Sequence, residues 1–175
     1  MNTPVTLRDL LLKGTGRAHT DMLCEALEQN PALFDELVSI YLANEDPASR
    51  KAAWAVDLYL ERHPECMQHY IEDMVLLLEH PSHDAIKRHT LRMLMRLPLP
   101  VRELGTLMNI CFGWLVSPRE PVAPKVYSME ILYRLALIYP ELRNELSATI
   151  NMLQQEGTAG LVARGRQILK KLAGL

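Results

Sequence analysis

The sequence has few aromatic residues, few cysteines and no long apolar run. Aromatic residues make up 6% of the 175 residues, and the three cysteines, Cys24, Cys66 and Cys111, form no CxxC pair. An odd number of scattered cysteines argues against a disulfide-stabilised fold, so we expect a reducing compartment and a cytoplasmic location. No run of about 18 apolar residues is present, and the first residues include the acidic Asp9, so neither a transmembrane helix nor a signal peptide is predicted.

The short motifs of common catalytic and nucleotide-binding sites are also missing. The sequence contains no HExxH, no serine elbow and no glycine-rich phosphate loop. The segment Gly14-Thr15-Gly16 has no Walker spacing after it and no predicted strand before it, so it predicts a turn. We therefore predict no catalytic residues, no enzymatic activity and no cofactor.

His63, Cys66 and His69 are spaced by three residues, a pattern that can place metal ligands together. Residues three apart on a helix share a face, but Pro64 interrupts the helix between the first two. No fourth ligand is specified, and zinc sites usually have tighter signatures. These residues are better interpreted as polar turn residues, and no metal is predicted.

Basic residues recur along the chain at a nearly constant interval, and apolar residues follow each of them at helical spacing. The basic residues at position zero of each copy are Arg50, Lys87, Lys125 and Arg164, separated by 37, 38 and 39 residues. Four positions later come Trp54, Leu91, Met129 and Ile168, and eight positions later come Leu58, Met95, Tyr133 and Leu172. A period of about 40 residues indicates an α-solenoid, because one helix pair cannot bury its apolar face alone. We expect the position-zero residues to form a structural ladder between adjacent repeats.

The segment DPASRKAAWAVDLYL, residues 46–60, resembles the second helix of a HEAT repeat. It has an acidic-proline turn, a basic residue one turn later, and then small and large apolar positions. The period covers about residues 31–173. The resemblance implies a binding role and an arrangement in which the second helix of each repeat lines the concave face.

The absence of any long period-two pattern makes the prediction all-α, as a right-handed α-α superhelix of about four HEAT-like helix pairs plus N-terminal helices. We predict a single α-solenoid domain. Its parts are an N-terminal helical cap at 1–30 and helix-pair repeats at 31–64, 65–98, 99–140 and 141–175.

Charge is divided between the two helices of each predicted repeat. The second helices together carry a net charge of +9 and the first helices −8, although the whole chain has a formal charge of only −2. The overall pI of about 6.3 conceals this division. A basic row of second helices and an acidic row of first helices are therefore predicted.

Helical phase places several cationic residues opposite the apolar positions of the second helices. The predicted partner-binding residues on this face are Lys51, Tyr59, Arg62, Arg88, Arg92, Arg96 and Arg134. One interpretation is a solvated face whose arginines pair with acidic residues of neighbouring helices. The other is a groove for an acidic peptide or a nucleic-acid backbone, because local potential steers partners more than net charge does.

Two functional hypotheses follow. The preferred one is a non-enzymatic HEAT-like scaffold or adaptor that binds a protein or an acidic peptide on a basic concave face. The alternative is a nucleic-acid-binding protein related to the DNA alkylation repair glycosylases, which are built from HEAT-like repeats; Trp54 and Asp57 resemble their aromatic and carboxylate pair. Since Trp54 falls in the predicted core column, packing is its expected role. No membrane partner is predicted, and the sequence does not specify an oligomeric state.

Overall fold

The structure is a computed structural model that describes residues 5–155 and 157–174. Within these ranges all regular secondary structure is helical, which confirms the all-α prediction. The ten α-helices are α1 (Leu7–Lys13), α2 (Arg17–Gln29), α3 (Leu33–Leu42), α4 (Ala48–Tyr59), α5 (Ile71–Leu77), α6 (Asp84–Leu94), α7 (Leu104–Val116), α8 (Val122–Ile138), α9 (Leu142–Leu153) and α10 (Ala159–Ala173). A 3₁₀ helix, Pro64–Tyr70, precedes α5.

The chain forms two compact units, residues 1–98 and 99–175. The first contains α1–α6 and the second α7–α10. The boundary lies in the segment Pro98-Leu99-Pro100, where proline breaks the helical backbone. None of the helices in the described ranges combines the length and the apolar character needed to cross a bilayer.

In the first unit, α4 is the central helix. It packs against α3, which precedes it in the chain, and against α2 and α6. Ala52, Ala53 and Ala55 of α4 are fully buried. Small side chains on several sides of one helix let its neighbours approach closely. The alanine-rich sequence of α4 therefore suits a helix in the middle of a row.

Polar groups fix the ends and the centre of this unit. Thr6 Oγ1 accepts a hydrogen bond from the Asp9 backbone N–H at 3.1 Å, and the Asp9 carboxylate accepts one from the Thr6 N–H at 3.0 Å, which completes a capping box at α1. Deep in the unit, Tyr41 Oη lies 2.6 Å from Thr90 Oγ1. This buried hydrogen bond joins α3 to α6.

In the second unit, α8 packs against α7, α9 and α10. Leu161, Ile168 and Leu172 of α10 are buried. Gly165 allows α10 to approach α9, because a Cβ atom at this position would lie 2.9 Å from Ile150 Cγ2.

The repeated apolar positions are only partly core positions. Leu91, Met129 and Ile168 are buried as expected, whereas Trp54 at the equivalent position is half-buried. Eight positions after the basic residue, only Leu172 is buried. The predicted cap at 1–30 contains α1 and α2, both of which pack against α4. The handedness of the superhelix stays a prediction.

Candidate functional site

Two of the predicted partner-binding arginines are engaged with a buried carboxylate. Asp57 of α4 has a side chain only 1% exposed, and Arg92 Nε lies 2.8 Å from its Oδ2. Arg96 Nη2 also donates to this carboxylate. His89 Nδ1 lies 2.8 Å from Oδ2. Arg92 and Arg96 thus form an ion-pair cluster between α4 and α6, as in the first of the two interpretations of the basic face.

Glu61, one turn after Asp57, extends this cluster. Its Oε1 accepts a hydrogen bond from Arg92 Nη2 at 2.6 Å. Desolvation tends to lower the pKa of Arg92, but the hydrogen bonds and charges of Asp57 and Glu61 outweigh it and raise that pKa. The signal in the sequence is the matched spacing: two acids four residues apart at the end of α4 and two arginines four residues apart at the end of α6.

The predicted face does not continue as an exposed surface along α4. Tyr59 is 5% exposed, and its ring lies 5.4 Å from that of Phe34 and 4.5 Å from that of His63. The expectation that Tyr59 lies on an open binding face is corrected by this burial. The reason is that α2 packs along this side of α4, where Cys24 Sγ lies 3.7 Å from the Ala55 carbonyl oxygen.

The other predicted residues have separate environments. Lys51 Nζ donates to the Gly14 carbonyl at 2.6 Å and so satisfies a backbone acceptor just after α1. Arg62 is well exposed, and its Nη1 lies 3.5 Å from Glu28 Oε1. Arg134 belongs to α8 of the second unit, where burial lowers the pKa of its guanidinium while the nearby Glu130 opposes this shift.

A cavity of about 270 Å³ opens among α2, α4, α6 and the loop between α1 and α2. Its polar and aromatic lining consists mainly of His19, Arg50, Lys51, Trp54, His83, Arg88 and His89. No Asp or Glu lines it among the residues that the structure describes. Two arginines and a lysine around a cavity that no carboxylate of the described chain lines make it electropositive.

His83 and Arg50 present hydrogen-bond donors on one wall of this cavity. His83 precedes α6, and its Nδ1 accepts the Ala85 backbone N–H at 3.0 Å. In a neutral imidazole whose Nδ1 is an acceptor, the proton is on Nε2. Arg50 Nη1 lies 3.3 Å from this Nε2. Two groups that both donate are therefore close together, and an acceptor beside them would satisfy both.

Arg88, His89 and Trp54 form a second part of the wall. Because His89 Nδ1 donates to Asp57, its Nε2 is free to accept from Arg88 Nη2, which is 3.3 Å away. The Trp54 and His89 rings are stacked, with centroids 6.3 Å apart and an interplanar angle of 17°. The ion-pair cluster thereby positions the ring that contacts both the cavity arginine and the cavity tryptophan.

Several of these residues were assigned other roles from the sequence. Arg50 was expected in a structural ladder; it pairs with Asp46 at 3.0 Å within its own turn and reaches His83 in the next repeat. Arg164, in the same row, pairs with Glu130 of α8 at 3.1 Å. Trp54 was expected in the core. An available signal was that Trp54 is the one aromatic residue in a column otherwise filled by aliphatic side chains and methionine.

His63 and Asp57 are both paired with other side chains. His63 Nε2 lies 2.9 Å from Glu28 Oε1. Within the described ranges no group of three or more His, Cys, Asp or Glu residues could hold a metal ion. Asp57 is closed off from solvent by three nitrogen-bearing side chains, so it does not present an open carboxylate beside Trp54.

Paired helices in a recurring order, with a cavity formed by second helices of the first unit, define an α-helical repeat protein. A family model described as HEAT repeat domain matches residues 7–172. The chain therefore belongs to the HEAT repeat family, which confirms the resemblance seen in residues 46–60. No curated protein and no solved structure matches the chain.

Proposed function

We propose that this chain is a non-enzymatic scaffold that binds an acidic segment of a partner protein at the cationic cavity of the first unit. HEAT repeats commonly mediate protein interactions, and membership of this family supports a scaffold role. The observation that carries the proposal is the cavity itself, lined by Arg50, Lys51 and Arg88 and, within the described chain, by no carboxylate. A cavity of one charge sign favours ligands of the opposite sign.

The cavity is a better site for an acidic segment than the row of arginines along α6. Arg92 and Arg96 already share Asp57, and Arg92 also binds Glu61. An acidic ligand would have to displace these carboxylates, and separating a buried ion pair is costly. Arg88 is exposed at the cavity, so it can meet a ligand without breaking that cluster.

The direct test is binding of a fluorescently labelled oligoglutamate peptide, followed by anisotropy at low ionic strength. Arg88→Glu should weaken binding about tenfold or more, equivalent to about 1.4 kcal/mol. Arg166→Glu is the matched control, because Arg166 is exposed on α10 in the second unit and its reversal changes net charge equally. Equal affinity of the two variants, or no binding by the wild-type chain, would refute the proposal.

A second candidate is a nucleic-acid-binding protein related to the DNA alkylation repair glycosylases. The observation that favours it is the half-buried Trp54 beside Arg88, since aromatic rings and cations together bind bases and phosphates. Mobility-shift assays with duplex and single-stranded DNA test it. Binding at low salt that falls steeply as salt rises supports it; no shift at low salt eliminates it.

A further inference from the structure

We infer that the cavity of the first unit is a site for a phosphomonoester that also carries a planar ring, with the phosphate held by Arg50, His83 and Arg88 and the ring beside Trp54. This inference rests on the proposed function, because it specifies the acidic group that the cavity accepts. Two sources share the chemistry: a phosphotyrosine in a protein segment and a nucleoside 5′-monophosphate.

The charge and the donors favour a phosphate over a carboxylate. The cavity is lined by two arginines and a lysine, and Asp46, which lies outside the lining, pairs with Arg50. One carboxylate would leave much of this charge unbalanced, whereas a phosphomonoester carries about −1.5 to −2 charge at pH 7 and three acceptor oxygens. Arg guanidinium groups match phosphate oxygens with pairs of parallel N–H donors.

The contact between Arg50 and His83 supports the same conclusion. Arg50 Nη1 and the protonated Nε2 of His83 are 3.3 Å apart and both are donors, so neither satisfies the other. An oxygen with several lone pairs can accept from both at once. Arg88 supplies a further donor from the same cavity.

The remaining surface of the cavity suits a ring. Trp54 is half-buried and stacks on His89, which holds the indole in place, and Leu23 and Ala85 add apolar surface. At about 270 Å³ the cavity is near the lower end of small-ligand pockets, which span about 300–1,000 Å³. A single phosphorylated ring is a ligand of appropriate size.

Three small probes test the chemistry by calorimetry at pH 7.5: phenyl phosphate, phenyl sulfate and inorganic phosphate. Phenyl phosphate has both the ring and a dianion, phenyl sulfate has the ring with one charge, and inorganic phosphate has no ring. We expect phenyl phosphate to bind at least about tenfold more tightly than either of the others. Equal affinity for phenyl phosphate and phenyl sulfate, or no binding of phenyl phosphate, would overturn the inference.

Two variants assign the roles of individual side chains. His83→Asn retains a side-chain acceptor for the Ala85 N–H, since Asn is a good N-cap residue, but replaces the imidazole Nε2 donor with an amide NH2 on a shorter side chain. It should weaken phenyl phosphate binding while leaving the unfolding midpoint nearly unchanged. Trp54→Leu should reduce the affinity for phenyl phosphate to that for inorganic phosphate, and unchanged affinity in both variants would contradict the assigned roles.

Further probes distinguish the two sources of the phosphate. They also distinguish failure of this inference from failure of the proposed function. A phosphotyrosyl peptide that binds where a nucleoside 5′-monophosphate does not supports the protein source, and the reverse supports the nucleotide. If oligoglutamate binds but phenyl phosphate does not, the proposed function stands and this inference falls. If neither binds, both fall.

Discussion

Arg92 Nε lies 2.8 Å from Asp57 Oδ2. This ion pair joins a partly exposed guanidinium to a buried carboxylate. The side chains of Arg92 and Arg96 are 36% and 32% exposed, against 1% for Asp57. Burying a carboxylate is costly unless charged donors compensate for its lost hydration. The stability of the interface between α4 and α6 therefore depends on the two arginines jointly.

Replacement of these arginines should show that dependence. Arg92→Gln and Arg96→Gln should each lower the free energy of unfolding by about 1–2 kcal/mol. The double variant should lose more than the sum of the two, by about 1 kcal/mol, because it leaves Asp57 with only His89. Urea denaturation of the four proteins measures this coupling.

A control for this cycle is Arg17→Gln, which removes an exposed pair with Asp21 four residues away. Such pairs typically contribute about 0–1 kcal/mol, so the midpoint should hardly change. Strict additivity of Arg92→Gln and Arg96→Gln would show that Asp57 does not couple them. The result also affects how binding experiments are interpreted. Replacing both arginines with Glu would place new acidic groups beside Asp57 and Glu61 and unfold the first unit. Loss of a binding partner in that variant would therefore reflect unfolding and not the loss of a binding surface.

The sequence predicts which helical face Arg92, Arg96 and Tyr59 occupy, but it does not predict which neighbouring elements pack against that face. The spacing predicts Arg92 and Arg96 one turn apart on one helical face, and both contact Asp57. The net charge of each helix counts Asp57 together with the cations of its own helix. Its actual ion-pair partners, Arg92 and Arg96, lie one repeat later. Likewise, phase placed Tyr59 opposite the core, but phase carries no information about α2, which packs over that side.

The period and the all-helical fold were predictable because both follow from short-range spacing. The cavity was not, since it depends on which residues of three separate segments converge. His19, Trp54 and His83 come from α2, α4 and the residue before α6. The aromatic residue in an otherwise aliphatic column singles out Trp54, but it does not indicate which residues surround it.

Removal of the hydroxyl of Tyr41 should destabilise the first unit. The hydroxyl is fully buried and 2.6 Å from Thr90 Oγ1, and burial raises the pKa of the phenol well above its usual value. Tyr41→Phe leaves the Thr90 hydroxyl without this partner, at a cost of about 1–3 kcal/mol. Thermal and urea unfolding measure the loss.

The matched control is the double variant Tyr41→Phe with Thr90→Val, in which both hydroxyls are removed and the shapes are kept. Replacing both partners by apolar groups of similar shape can be nearly neutral. The double variant should therefore be more stable than Tyr41→Phe alone. A double variant that is less stable would show that the Thr90 hydroxyl has another role.

The three cysteines should react with iodoacetamide at very different rates in the folded protein. Burial raises the pKa of Cys24 to about 11 and that of Cys111 to about 12, so at pH 8 both are almost entirely thiols. The pKa of Cys66 is also raised, mainly because of desolvation, but Cys66 is only half-buried. Because the thiolate is the reactive form, Cys66 should be modified first and Cys111 last.

Site-resolved mass spectrometry over a time course measures this order. In urea the three rates should become similar, which controls for differences in the peptides. Modification of Cys111 as fast as Cys66 in the folded protein would contradict its burial in the second unit.

Two glycine substitutions in the second unit should change stability in opposite directions. A Cβ at Gly113, which is exposed on α7, meets nothing within 4 Å, so Gly113→Ala should gain about 0.5–1 kcal/mol from helix propensity. At Gly165 the same change places a Cβ 2.9 Å from Ile150 Cγ2, a distance shorter than the contacts that Cβ atoms make in proteins. Overpacking of a core typically costs about 1–3 kcal/mol, which exceeds the gain in propensity, so Gly165→Ala should be destabilising. Urea unfolding compares the two, and a stabilising Gly165→Ala would mean that α9 and α10 separate more easily than their packing in the second unit indicates.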